Sequence, residues 1–132
     1  MLFRSPALAA GRHVVSDRSV YSSLAYQGYG RGLDLAELRR INDWAVGGRW
    51  PDLVVMIDVP VDVLLGRLAR RERDRFERED RAFFDRIAAG YAEMARAEPD
   101  RWIVVDGAPP KDELEAIVAT RVGEWLAAHP RP

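Results

Sequence analysis

An aspartate and an arginine, Asp17 and Arg18, close a short apolar stretch, His13-Val-Val-Ser16, and a run of hydroxyl, amide and aromatic side chains follows them. In an open α/β sheet, ligands lie beyond the carboxyl ends of the strands, so a charged pair at such an end faces a site. The planar fork of Arg18 matches two oxygens of a phosphate. Asp17 beside it is suited to hold a water or Mg2+ near a transferred phosphoryl group. Taken alone, the two residues are better explained by an exposed ion pair contributing about 0–1 kcal/mol. Further on, Ser23 and Gln27 offer hydrogen bonds suited to a pyrimidine edge. Tyr26 offers a flat face and a hydroxyl for a deoxyribose, and half-buried packing is compatible with that role.

Charge is concentrated a second time over residues 67–86, which hold eight arginines and six acids. That near-balance suits a solvated helix laced with i,i+4 pairs better than a nucleic-acid surface. His13 and His129 lack the spacing of metal ligands, and no nucleophile and base are arranged as a hydrolase needs. The 132 residues contain no Gly-x-x-x-x-Gly-Lys-Ser/Thr loop. Gly28, Gly30 and Gly32 do not stand between a strand and a helix with Lys-Ser/Thr, and read as turn glycines.

The elements that must position these residues alternate. Residues 6–10 form the tail of a helix stopped by Gly11, and His13 to Ser16 a first, buried strand. Asp34-Leu-Ala-Glu37 is a capping-box-like helix start, followed by Leu35, Leu38, Ile41 and Ala45 at helical spacing up to Gly47-Gly48. Six of the seven residues 53–59 are apolar, without alternation, as in a parallel strand covered on both faces. Helices are expected from about Asp62 to Arg71 and from about Glu77 to Ala97, the latter with Phe84, Ile87, Tyr91 and Met94 on one side. Trp102 to Asp106 is the last strand, and Pro110 opens a terminal helix lined by Leu114, Ile117, Val118 and Val122. This order implies right-handed crossovers in an α/β fold, a parallel sheet with flanking helices. Three strands are few for that architecture, and the fold reads as incomplete. A net charge of -1 creates no field favouring nucleic acid or membrane. No apolar run approaches the roughly 20 residues of a membrane span, and the absence of cysteine suits a reducing cytoplasm.

The run Asp17-Arg18, Ser22-Ser23 and Ala25-Tyr26-Gln27-Gly28 resembles the deoxythymidylate-binding segment of bacterial thymidylate kinases. Asp74-Arg75-Phe76-Glu77, after an arginine-rich turn, resembles the family's lid, and the likeness continues through Phe83-Phe84, Gly90-Tyr91 and Arg101-Trp102. The resemblance implies a P-loop nucleoside-monophosphate-kinase fold that transfers the γ-phosphoryl group of ATP to dTMP with Mg2+, in the cytoplasm. It assigns Arg18 to the acceptor phosphate, Ser22, Ser23, Tyr26 and Gln27 to the nucleoside, and Asp17 and Glu77 to the metal. Arg70, Arg71 or Arg73, with Asp74, would act from a lid at about residues 67–80. Arg67 and the Asp106-Gly107-Ala108 loop would border the adenine of ATP, whose flat face small residues allow the backbone to approach. Full-length relatives would form homodimers.

The departure from the family pattern is at the front, where the first strands and the phosphate-cradling loop are missing. The expectation is therefore a single partial kinase-like domain over residues 1–132, inactive alone and with open strand edges. An alternative is a non-catalytic or partner-dependent kinase-like subunit. A deoxynucleoside kinase is disfavoured by the Tyr26-Gln27-Gly28 and lid patterns.

Overall fold

Caps and glycines in the sequence mark where helices begin and end, and the computed structural model, which describes residues 4–69 and 79–130, follows them closely. Backbone contacts divide the chain into two compact units, Met1–Pro51 and Asp52–Pro132.

The first unit is helical. Helix α1 spans Arg4–Ala9 and stops at Gly11 as expected. Helix α2 (Val20–Ser23) is capped by the Ser19 hydroxyl, which accepts the Tyr21 N–H at 3.3 Å. It runs directly into a π-helical segment, Leu24–Gly30, whose wider winding appears in the bond from the Arg31 N–H to the Tyr26 carbonyl at 3.0 Å. Gly28 and Gly30 thus belong to a helix, and only Gly32, at φ 76°, keeps the turn expected of all three. Helix α3 (Leu35–Val46) starts where Asp34 accepts the Glu37 N–H at 2.9 Å and ends in left-handed Gly47.

Two expectations for this unit are corrected. Residues 13–16 form no strand, and Val15 is 97% exposed. An apolar run becomes a strand only beside a hydrogen-bonding neighbour, and the described sheet pairs two other segments. On α3, Leu35 and Leu38 approach Gly28 as the pattern implies, but Ile41 is exposed and Trp44 is 85% exposed. The inward stripe passes instead through Asn42 and Val46, which are half-buried.

The second unit is the α/β part. Strand β1 (Val54–Asp58) and strand β2 (Trp102–Asp106) pair in parallel, from Val54 opposite Trp102 to Asp58 opposite Asp106. Between them come helix α4 (Val61–Ala69) and helix α5 (Glu79–Ala97), and helix α6 (Lys111–Ala128) follows β2. Helices α5 and α6 both pack on β2. The core joins Phe84, Ile87 and Met94 of α5 to Trp102, Ile103 and Val105, with Tyr91 set edge-on to Trp102 at 6.3 Å between ring centroids. Leu114, Ile117, Val118 and Val122 form the half-buried side of α6. Arg81 on α5 meets Asp62 on α4 at 2.5 Å, and this hydrogen bond, with the charge behind it, raises the Arg81 pKa further.

Burial of the sheet differs from expectation. No residue of β1 is fully buried, Ile57 is 49% exposed, and Val104 on β2 is 43% exposed. A strand is covered on both faces only inside a wider sheet layered by helices on each side. Among the described residues the sheet has two strands.

Two substitutions test this account. A Cβ at Gly107 would lie 2.6 Å from Val59 and 2.8 Å from Ile57, so Gly107→Ala should lower unfolding free energy by about 1–3 kcal/mol. Asp34→Ala should lower it by about 1 kcal/mol through loss of the cap, and Asp34→Asn by much less. Urea denaturation followed by circular dichroism measures both.

Candidate functional site

Arginine pays a steric penalty in the left-handed region, because its Cβ crowds the following carbonyl. Arg18 nevertheless has φ 67°, and is the one non-glycine residue with positive φ among those described. Non-glycine residues held in that region cluster at functional sites. Here the bend is fastened from behind, where the Ser16 hydroxyl donates to the Arg18 carbonyl at 3.0 Å. In front, the guanidinium carbon stands 4.7 Å from the centre of the Tyr26 ring, within cation–π range. The candidate phosphate arm and the candidate sugar contact are therefore one structural feature.

Below them, Tyr21, Leu24 and Ala25 are buried and form the floor of the segment. Tyr21 meets Trp50 edge-on at 5.3 Å, and the Trp50 indole N–H donates to Asp43 at 2.7 Å. Because the floor residues face inward, Asp17, Arg18 and Gln27 are exposed while Ser22, Ser23 and Tyr26 are half-buried. Gly28 is where the segment presses on α3, since a Cβ there would lie 3.3 Å from Leu38 and closer still to Leu35. The same contact brings Asn42 to Ser23, whose hydroxyl oxygen accepts the Asn42 amide at 3.3 Å. Asn42 also donates to the Leu38 carbonyl at 2.8 Å, so its amide group is fixed along the helix. The Ser23 hydroxyl hydrogen is then directed away from Asn42 and can donate elsewhere.

Sequence reasoning missed Ser16 and Asn42. Asn42 carried a signal, because it falls on the stripe of Leu35 and Leu38 at i+7 and i+4, where a polar residue needs a partner. Ser16 carried none, since the residues around it were read as a strand.

The remaining candidates that can be placed lie in the second unit. Gly107 is buried, and its N–H donates to the Asp58 carbonyl at 2.8 Å, extending the β1–β2 ladder by one bond. The Ala108 N–H donates to the Asp106 carboxylate at 2.9 Å, forming a tight polar turn at the strand end. Arg67 is exposed in the last turn of α4. Arg70, Arg71, Arg73, Asp74 and Glu77 lie outside the described residues. Among the described residues no three acidic, histidine or cysteine side chains gather as a metal site, and no helix is long and apolar enough to cross a membrane.

Comparison with known proteins gives a consistent family. A family model described as "Thymidylate kinase" matches residues 3–118. A protein named thymidylate kinase from Desulforudis audaxviator is 44% identical over 125 residues, covering 95% of this chain and 57% of that relative. Its counterpart from Methylococcus capsulatus is 45% identical over 125 residues, covering 94% and 60%. One from Deinococcus radiodurans is 46% identical over 120 residues, covering 90% and 58%. The chain thus spans between 57% and 60% of the length of these three relatives.

The Asn42 bridge yields a direct test. Asn42→Ala removes both of its hydrogen bonds and should destabilise the chain by about 1–2 kcal/mol. Asn42→Asp, which can no longer donate to Ser23 or Leu38, should do at least as much. A pair of thermal melts within one degree of wild type would show that the bridge contributes nothing.

Proposed function

This chain belongs to the thymidylate kinase family, and from that premise we propose that it carries the acceptor side of a dTMP kinase, which transfers the γ-phosphoryl group of ATP to dTMP to give dTDP for dTTP synthesis in the cytoplasm. The observation that supports this most is Arg18, held in a strained bend with its guanidinium on Tyr26 in an exposed position. A fixed planar cation is suited to a bidentate grip on the 5′-phosphate of the acceptor. Tyr26, stacked against that guanidinium, is then the contact for the deoxyribose. Ser23, whose hydroxyl accepts from Asn42 and is still able to donate, and exposed Gln27 then serve the pyrimidine edge, with Ser22 beside them.

Phosphoryl transfer is catalysed chiefly by positioning and by cations on the transferring oxygens. On this reading the two compact units are parts of one kinase domain with a P-loop-type fold. Arg70, Arg71 and Arg73, with Asp74, act from a lid at about residues 67–80, and Arg67 with the Gly107-Ala108 turn borders the adenine. Mg2+ in such sites is held by one or two carboxylates, substrate phosphates and water. The exposed Asp17 fits that pattern, with Glu77 as the second acid. When bound, the ion neutralises charge on the phosphates of ATP. The sequence holds no phosphate-cradling loop, so on this reading transfer needs one from outside these 132 residues, and the full-length form is a homodimer. That same absence favours a second reading, a partner-dependent kinase-like subunit without catalysis of its own.

Co-expression tests the two readings. The chain is combined with the part of the Desulforudis audaxviator relative that it does not align with, and conversion of dTMP to dTDP by ATP is followed. Activity in the combination, absent from the chain alone, is expected, with Arg18→Ala lowering kcat/KM by about 10–100-fold. ATP-dependent dTDP formation by the chain alone at an enzyme's usual rate would overturn the need for an external loop. Binding without turnover in the combination would favour the subunit.

A further inference from the structure

Ser16 contacts no candidate ligand group, yet it makes the hydrogen bond that closes the Arg18 bend. We infer that Ser16 is a positioning residue for the acceptor site, holding Arg18 in its left-handed conformation so that the guanidinium lies against Tyr26 before any phosphate arrives. This rests on the reading of Arg18 as the acceptor-phosphate arm.

The physical case has three parts. An arginine returned to an ordinary negative φ swings its side chain to another direction, since φ changes by more than 100°. Nothing intrinsic to arginine favours φ 67°, so the surroundings must impose it. The constraints visible are the Ser16 hydroxyl on the Arg18 carbonyl, the Ser19 cap that starts α2 immediately afterwards, and the Tyr26 ring 4.7 Å from the guanidinium carbon. Ser19 fixes where the helix begins and Tyr26 fixes where the guanidinium ends. Of these three, Ser16 is the one that bonds the Arg18 backbone itself. A long, rotamer-rich side chain loses much freedom on gripping a ligand, and an arm already stacked loses less. Ser16 thereby raises affinity for the phosphorylated nucleotide without touching it.

The role predicts a phosphate-specific effect. In the 132-residue chain, Ser16→Ala should weaken dTMP binding by about fivefold, the equivalent of one lost hydrogen bond, and leave thymidine binding unchanged. Ser16→Thr keeps the hydroxyl and should restore dTMP affinity. Ser16 is exposed, so neither change disturbs the core. Titration calorimetry reads the binding. Without any ligand, NMR reads the Arg18 δ-methylene protons, which the Tyr26 ring current shifts upfield in wild type and Ser16→Thr but not in Ser16→Ala.

An Arg18 ring-current shift that survives Ser16→Ala overturns the inference, as does a lost shift with dTMP affinity intact. A wild-type chain that binds dTMP no better than thymidine instead overturns the acceptor-phosphate reading, and with it the ligand half of the proposal. The NMR comparison still decides whether Ser16 sets the conformation.

Discussion

The close approach of the Gly28 backbone to Leu35 and Leu38 governs the first unit. A side chain at position 28 would hold the π-helical segment away from α3. With none, the segment lies flat on the helix, and several features follow from that one contact. Leu24 and Ala25 become floor, Asn42 reaches Ser23, and Tyr26 comes up beside Arg18. The energy comes from apolar burial, which is non-directional. The direction comes from the absence of one Cβ. The candidate nucleoside contacts are therefore set by packing at the residue that follows them.

In the second unit the comparable constraint is the parallel register of β1 and β2. Asp58 opposite Asp106 places both strand ends level, so the turn after β2 can reach back to the Asp58 carbonyl through Gly107. Gly107 is tolerated there because Val59, Ile57 and the Asp58 carbonyl leave no room for a side chain. The buried face of β2 is supplied by α5 and α6, and β1 derives its order largely from β2.

Features that depend on local chemistry were legible in the sequence. The cap at Asp34, the stop at Gly47 and the apolar side of α5 follow from neighbours a few residues away. Strands 54–58 and 102–106 were readable as apolar runs of four residues, each closed by an aspartate, that had each other as partners. Features that depend on distant partners were not. The apolar run at 13–16 has strand composition, but strand formation needs a second strand alongside. The choice of inward face on α3 was decided by the π-helical segment, which drew in Asn42 and left Ile41 outside. Even the π winding itself has no composition signature, and its glycines pointed to a turn. At the candidate site, the residue types at 17, 18, 22, 23, 26 and 27 were readable as a group. The left-handed bend and its Ser16 fastening were not, because strain at a single residue leaves no periodic trace.

The π-helical winding also bears on how this surface tolerates changes in chain length. Relative to an α-helix, the segment Leu24–Gly30 accommodates one surplus residue within its turn. Deleting a residue there would let the backbone relax to ordinary α winding, and would turn Gly28 away from its seat on Leu35 and Leu38. The ring of Tyr26 would rotate away from Arg18 in the same movement. Insertions and deletions in this stretch therefore shift the geometry of the candidate site and its seat on α3 together.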